Sequence, residues 1–217
     1  MIFVPSVWMT MADLFEIIGV RAADGGARLV LTVESTFAGE ASRETLTVLT
    51  ARLARVPQKG AIDGETLVFL RREHALCAAL STGMRSLSAS GGSRLQLQQK
   101  LCHKGVAREV ADDAVEELSQ KGYLDEKKSA LSTAESGLRK LWGDRRILAD
   151  LRTKGYGKEA LLAVQERLRG EDAVARLARL WGKRRFDAEN PDKLIAALMR
   201  YGYTRAEIRA ALKSIMK

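Results

Sequence analysis

Few residues in this chain have the type and spacing that chemistry requires. The nucleophile and base candidates are Cys77, Cys102, His74 and His103, the only cysteines and histidines among 217 residues. Cys102 and His103 are adjacent, and on a helix neighbouring side chains point about 100° apart, poor geometry for a thiolate–imidazole pair. His74 lies on a stripe with Leu67, Leu70 and Cys77, which reads as a hydrogen-bonded core histidine. Neither cysteine has a C-x-x-C partner, so zinc is not supported. Gly25-Gly26 and Gly91-Gly92 lack the lysine pattern of a phosphate loop. Asp112, Asp113, Glu116 and Glu117 read as a solvated helix flank with Lys121 as an internal partner. The expectation is a protein that is not an enzyme, with no metal, cofactor or small-molecule substrate.

Charge is the stronger signal. Residues 1–93 hold 9 basic and 9 acidic side chains, whereas residues 141–217 hold 18 against 10 and carry most of the net +9. A one-sided excess calls for an acidic partner: nucleic acid, an acidic protein surface, or both. The excess gathers around two near-copies of one phrase, LRKLWGDRR (138–146) and LARLWGKRR (177–185), set 39 residues apart. Arg145 and Arg146 fall in the first turn of a helix, where positive charge opposes the macrodipole by roughly 0.3–1 kcal/mol each, with Asp144 expected as N-cap. Lys183, Arg184 and Arg185 lead into the insertion FDAENPD. Arg139, Lys140, Arg152 and Lys154 extend the patch, and Arg200 and Arg205 complete the candidate contact set. Trp142 and Trp181 follow Leu138 and Leu177 by four residues and are expected in the core. Gly143 and Gly182 are expected to end their helices.

The elements that position these residues change character along the chain. ARLVLTVES (27–35) reads as a strand after the Asp24-Gly25-Gly26 turn. Residues 42–56 fit either a helix face (Leu46, Leu49, Leu53, Val56) or a strand (ETLTVLT). Residues 65–81 predict a helix, and SLSASGGSR (86–94) a linker or loose helix end. Beyond it, apolar stripes of helical period follow one another. Ser93 with Gln96, and Thr204 with Glu207, form capping boxes. Asp125 and Asn190-Pro191 mark further helix starts. Leu101-x-x-x-Gly105, Leu151-x-x-x-Gly155 and Leu198-x-x-x-Gly202 repeat at intervals of 50 and 47 residues, each followed by Val or Tyr and then by Arg108, Lys158 or Arg205. A glycine past a helix end lets the chain turn back. The fold class expected is therefore mainly α: tandem three-helix repeats in an elongated helical array, with a small N-terminal region containing one or more strands. Residues 1–20 are apolar but carry Asp13 and Glu16 and lack a basic start, unlike a secretory signal. With two cysteines and no membrane-length apolar run, the expected location is the cytoplasm.

Several phrases, in order, resemble the RecX family, regulators of the bacterial recombinase RecA. ELSQKGYLDEKKSA (117–130) is similar to the family's L-x-x-x-G-Y-[LI]-[DN]-[DE] joint. SGLRKLWGDRRILADLRTKGY (136–156) resembles its Ser, basic, Gly, Arg-Ile, acidic-Leu, Lys-Gly run, and LIAALMRYGYTRAEIRAALKSI (194–215) its closing helix pair. HALCAALS (74–81) corresponds to the helix leading into the first repeat. SASGGSRLQ (88–96) departs from the family's Arg-x-Arg-Ser-Glu opening, and Met199–Tyr203 is one arginine short of its Arg-Arg-Gly-[FY]. The resemblance implies a variable N-terminal region (1–64), a lead-in helix and linker (65–93), and repeats at 94–142, 143–182 and, truncated, 183–217. It also implies a monomeric, non-enzymatic partner of the RecA filament that lowers ATP hydrolysis, strand exchange and co-protease activity, with weak affinity for single- or double-stranded DNA and none for membranes. The alternative is a helical module that binds DNA directly without RecA. The scarcity of Asn and Gln beside the arginines favours phosphate or protein contact over base reading.

Overall fold

The computed structural model describes residues 14–37, 40–184, 186 and 190–215. They divide into two compact units: residues up to Thr82 with Val106–Ala114, and Gly83–Gly105 with Val115 onward.

The first unit is built on a four-stranded antiparallel sheet of order β3-β2-β1-β4, with β1 Leu14–Ala23, β2 Arg28–Phe37, β3 Glu40–Leu49 and β4 Gly60–Ile62. Alternate residues face one core: Leu29, Leu31 and Val33 on β2, and Leu46 and Val48 on β3. Helix α1 (Gly64–Ser90) closes that core with Leu67 and Leu70. The ambiguous stretch 42–56 is resolved by pairing. Leu46 lies opposite Leu31 and Val48 opposite Leu29, so period-two burial on a ready-made neighbour wins over a helix face, and Val56 is left 47% exposed. His74 is the structural histidine expected: its Nδ1 accepts the Thr47 amide at 2.9 Å. Cys77 is buried, and burial raises its thiol above the ordinary range, which leaves it unreactive. Ion pairs such as Arg43–Glu34, Arg71–Glu44 and Arg72–Asp113 match the balanced charge here.

The remainder is helical: α2 Arg94–His103, α3 Arg108–Gln120, α4 Glu126–Arg139, α5 Asp144–Thr153, α6 Lys158–Arg169, α7 Ala173–Lys183, α8 Pro191–Arg200 and α9 Arg205–Ile215. The fold is thus mainly α, tandem helical repeats with an N-terminal sheet. Serines 86–90 belong to the last turns of α1 rather than to a linker. Ser93 and Gln96 form a complete capping box, as do Thr204 and Glu207, while Asp125 and Asn190 cap α4 and α8. Gly105, Gly155 and Gly202 take left-handed φ of 85°, 73° and 95°, the helix stops that the spacing predicts.

Apolar side chains group these helices in threes. Ala130, Ala134 and Leu138 of α4 share a core with Ile147 and Leu151 of α5 and Ala160, Val164 and Leu168 of α6. Leu177 and Leu180 of α7 share another with Leu194 and Leu198 of α8 and Ile208 and Ala211 of α9. A repeat counted from α2, α5 and α8 opens one helix later than these packing groups. The last helix pair therefore finds its third partner in α7.

The two LWG phrases have different structures. In the first, α4 is stopped by Leu141, a non-glycine residue at φ 58°, and not by Gly143, which is instead the N-cap of α5 at φ −73°. Asp144 occupies the first helical position and is not a cap. Gly143 is needed for close approach: its amide donates to the Tyr201 carbonyl at 2.8 Å, and a Cβ there would overlap the Gly202 carbonyl carbon and oxygen. In the second phrase Gly182 lies inside α7 and does not end it, and nothing surrounds the place its Cβ would take. Opposite outcomes follow for one substitution at matching positions. Gly143→Ala, forced against backbone, is expected to lose about 3 kcal/mol. Gly182→Ala, which removes a glycine from a helix, is expected to gain about 0.5–1 kcal/mol. Urea unfolding of the two variants checks both signs.

Candidate functional site

The joint between α4 and α5 determines where the basic residues stand. Leu141 turns inward, joins the α7–α9 core, and offers its carbonyl to the buried Tyr203 hydroxyl at 2.9 Å. The chain then runs along the α8–α9 turn. Gly143 donates to Tyr201, and the Arg145 amide donates to the Gly202 carbonyl at 3.3 Å. A Cβ on Gly202 would meet the Arg146 backbone nitrogen and Cβ at 2.5 Å. Arg145 is thereby set against a turn that carries Arg200 two residues before Gly202 and Arg205 three after it, and all three side chains are exposed.

Under this joint lies a polar interaction that the sequence does not advertise. Arg176 of α7 is 1% exposed and pairs with Asp144. Its guanidinium sits 6.0 Å from the centre of the Tyr203 ring, and its Nε and Nη1 have no hydrogen-bond partner among the described residues. Burial pushes the Asp144 carboxyl above the usual carboxylate range despite the pull of Arg176. Burial likewise raises the Tyr203 hydroxyl.

Trp142 and Trp181 are partly buried against the two cores, as expected, and they also end a single ladder. Lys140 Nζ and the Arg146 guanidinium lie 5.0 and 4.2 Å from the Trp142 ring centre, and Arg146 also lies 5.6 Å from Tyr201. Tyr201 meets Phe186 edge-on at 6.2 Å, and Phe186 stacks on Trp181 at 5.6 Å. Arg146 is thus held between rings, an arrangement worth roughly 0.5–2 kcal/mol, which offsets its unfavourable place at a helix start.

The other candidates sort by electrostatics. Arg139, Lys140, Arg152, Lys183 and Arg200 stand in last turns or at helix ends, where the macrodipole favours positive charge. Lys154 is paired with Asp150 at 2.6 Å. Arg139, Lys140 and Lys154 line a polar groove of about 290 Å³ with Ser132, Ser136 and Trp142. Arg184 is exposed just beyond α7, and Arg185 lies outside the described residues. Arg145 and Arg205 occupy helix starts with neither a ring contact nor an ion pair of their own among the described residues, although Asp144 and Glu207 in the same first turns offset the dipole there. By contrast the acidic flank of α3 is internally occupied: Asp113 pairs with Arg72, Glu116 with Arg94 and Glu117 with Lys121. No group of metal-ligating side chains occurs among the described residues, and no described helix is long and apolar enough to cross a membrane.

Sequence reasoning missed Arg176, Tyr201, Tyr203 and Phe186. One signal was available: Arg176 interrupts the stripe formed by Ala173, Leu177 and Leu180, where a charge must find a buried partner.

No family model matches the chain. Regulatory protein RecX of Pelodictyon phaeoclathratiforme is 28% identical over 145 residues, 64% of this chain and 89% of that one. Regulatory protein RecX of Xanthomonas axonopodis pv. citri is 29% identical over 127 residues, 56% and 77% of the two chains. Among solved structures, a crystal structure of regulatory protein RecX superposes with a TM-score of 0.66 at 16% identity, covering 92% of this chain and 100% of that one. RecX from Lactobacillus salivarius superposes at 0.53 and 15% identity, covering 65% and 96%. The solved structures share the fold and the curated relatives share part of the sequence, and both likenesses support assignment to the RecX family of regulatory proteins.

Proposed function

We propose that the protein binds the RecA recombinase on its nucleoprotein filament through the basic surface of the C-terminal helices. It lowers RecA's ATP hydrolysis, strand exchange and co-protease activity, and so acts in recombinational repair and the SOS response. It does this in the cytoplasm, as a monomer, without catalysis or a cofactor. The observation that carries this reading is a surplus of uncommitted charge. Among the described residues, Arg139, Lys140, Arg145, Arg152, Lys183, Arg184, Arg200 and Arg205 have no carboxylate within ion-pair distance. Exposed cations left unpaired attract a polyanion and release its counterions on contact. A filament that presents phosphates beside acidic protein surface suits such a face, and weak affinity for naked DNA follows from the same charge.

The test is single-strand-dependent ATPase of RecA from the same organism. Substoichiometric protein is expected to lower it. No effect at saturating protein on ATPase, strand exchange or repressor cleavage overturns the reading. The variant Arg139→Ala/Lys140→Ala/Arg145→Ala is expected to bind the filament about tenfold more weakly. Its salt slope should be shallower by roughly 0.7–0.9 for each phosphate that the variant no longer neutralises. Arg167→Ala serves as control, because Arg167 is occupied by Glu135 and Glu171. If naked duplex is bound more tightly than the filament, a direct DNA-binding module replaces the regulator.

A further inference from the structure

Arg176 is the most deeply buried cation of the described residues, and nothing in the filament reading uses it. Its surroundings argue against a role in holding the fold together. The docking of α5 on the α8–α9 turn already has three hydrogen bonds: Gly143 to Tyr201, Arg145 to Gly202, and the Tyr203 hydroxyl to Leu141. Arg176 adds a pair to Asp144 and leaves two nitrogens without partners. Glu171 stands 4.0 Å from Nη1, with its other oxygen already on Arg167. Replacing such a pair by apolar residues of similar volume is commonly neutral or stabilising. An apolar pair lacks direction, however. A charge-assisted N–H···O bond from a rigid, planar guanidinium is directional and constrains the element that carries the carboxylate, and that element is the first turn of α5.

We propose that Arg176 is a positioning residue: through Asp144 it fixes the start of α5, and so sets Arg145 beside Arg200 and Arg205 as one contact for a rigid polyanion. The three cations come from three helices, and Arg145 is distant in sequence from the other two. Arg145 immediately follows the residue that Arg176 holds, and its own amide is bonded to the turn between the other two. The inference rests on the filament reading for the identity of the partner, and on the geometry alone for the positioning. Held in register, three cations meet a polyanion as one multivalent site. Released, Arg145 contributes only at the effective concentration of a loose tether.

The experiment replaces the pair by an apolar one, Arg176→Met/Asp144→Leu, in the full chain. The melting temperature is expected to be unchanged or higher, while filament affinity falls about tenfold. Adding Arg145→Ala to that variant is then expected to cost little more, although Arg145→Ala alone costs severalfold. Unchanged affinity, or a full additive loss from Arg145→Ala, overturns the proposal. Because the double variant could fail to fold, Arg176→Lys is measured beside it, keeping the charge and losing the planar guanidinium. Nitroxide labels at Arg145→Cys and Arg205→Cys, with Cys77→Ser and Cys102→Ser, report the spacing without any partner. A distance distribution that broadens in Arg176→Lys supports positioning, and one that is unchanged overturns it. If the wild-type protein binds no filament, the function reading fails while this distance still decides the role of Arg176.

Discussion

Two main chains meet where Gly143 crosses the α8–α9 turn, and the arrangement of the basic residues depends on that crossing. The approach is closer than a Cβ on either side permits. Gly143 would strike the Gly202 carbonyl, and Gly202 would strike Arg146. Backbone contact at this range leaves little room for sliding, because protein interiors shift between discrete packings rather than deform smoothly. Leu141 holds a left-handed backbone to make the crossing possible, a strain of order 1 kcal/mol. Its return is a buried side chain in the α7–α9 core and a carbonyl aimed at Tyr203.

The joint nearer the N-terminus shows which part of this is general. There Ser93, the N-cap of α2, donates its hydroxyl to the Lys154 carbonyl, and Leu95 packs where Gly155 lacks a side chain. Lys154 precedes its turn glycine as Tyr201 precedes Gly202. In both joints the cap of one opening helix grips the residue before the glycine of the next. A hydroxyl does so in the first and a bare amide in the second. Removing the side chain brings the backbones together, and it is at the tighter joint that the cations gather.

Much of this was legible from residue types. The caps at Ser93, Asp125, Asn190 and Thr204 were legible because a side chain that accepts an N–H is a local event. So were the stops at Gly105, Gly155 and Gly202, because left-handed backbone selects glycine. The two LWG phrases were misread because identical words met different surroundings. Gly143 answers to a neighbour nearly sixty residues away, and Gly182 answers to none. The stretch 42–56 stayed undecided for the same reason, since only its pairing with Leu29 and Leu31 chooses between strand and helix. Repeat phase was illegible in principle: a periodic sequence has no intrinsic start, and only the apolar contacts show that α4 and α7 open packing groups.

The same distinction bears on the arginines. From sequence, every cation near a helix start breaks the same rule, and Arg145 and Arg146 look equivalent. In the structure Arg146 is compensated by Trp142 and Tyr201, so its place is explained without a partner. Arg145 and Arg205 have no such ring and no ion pair among the described residues, and Arg145 is bonded to the turn that Arg205 follows. An unfavourable term that the fold offsets locally is architecture. An exposed cation that the fold leaves without a ring or an ion pair is free to meet an anion from outside the chain. The first tryptophan phrase thus marks where the protein is joined, and the arginines that the joint leaves unpaired are those through which we propose that it meets its partner.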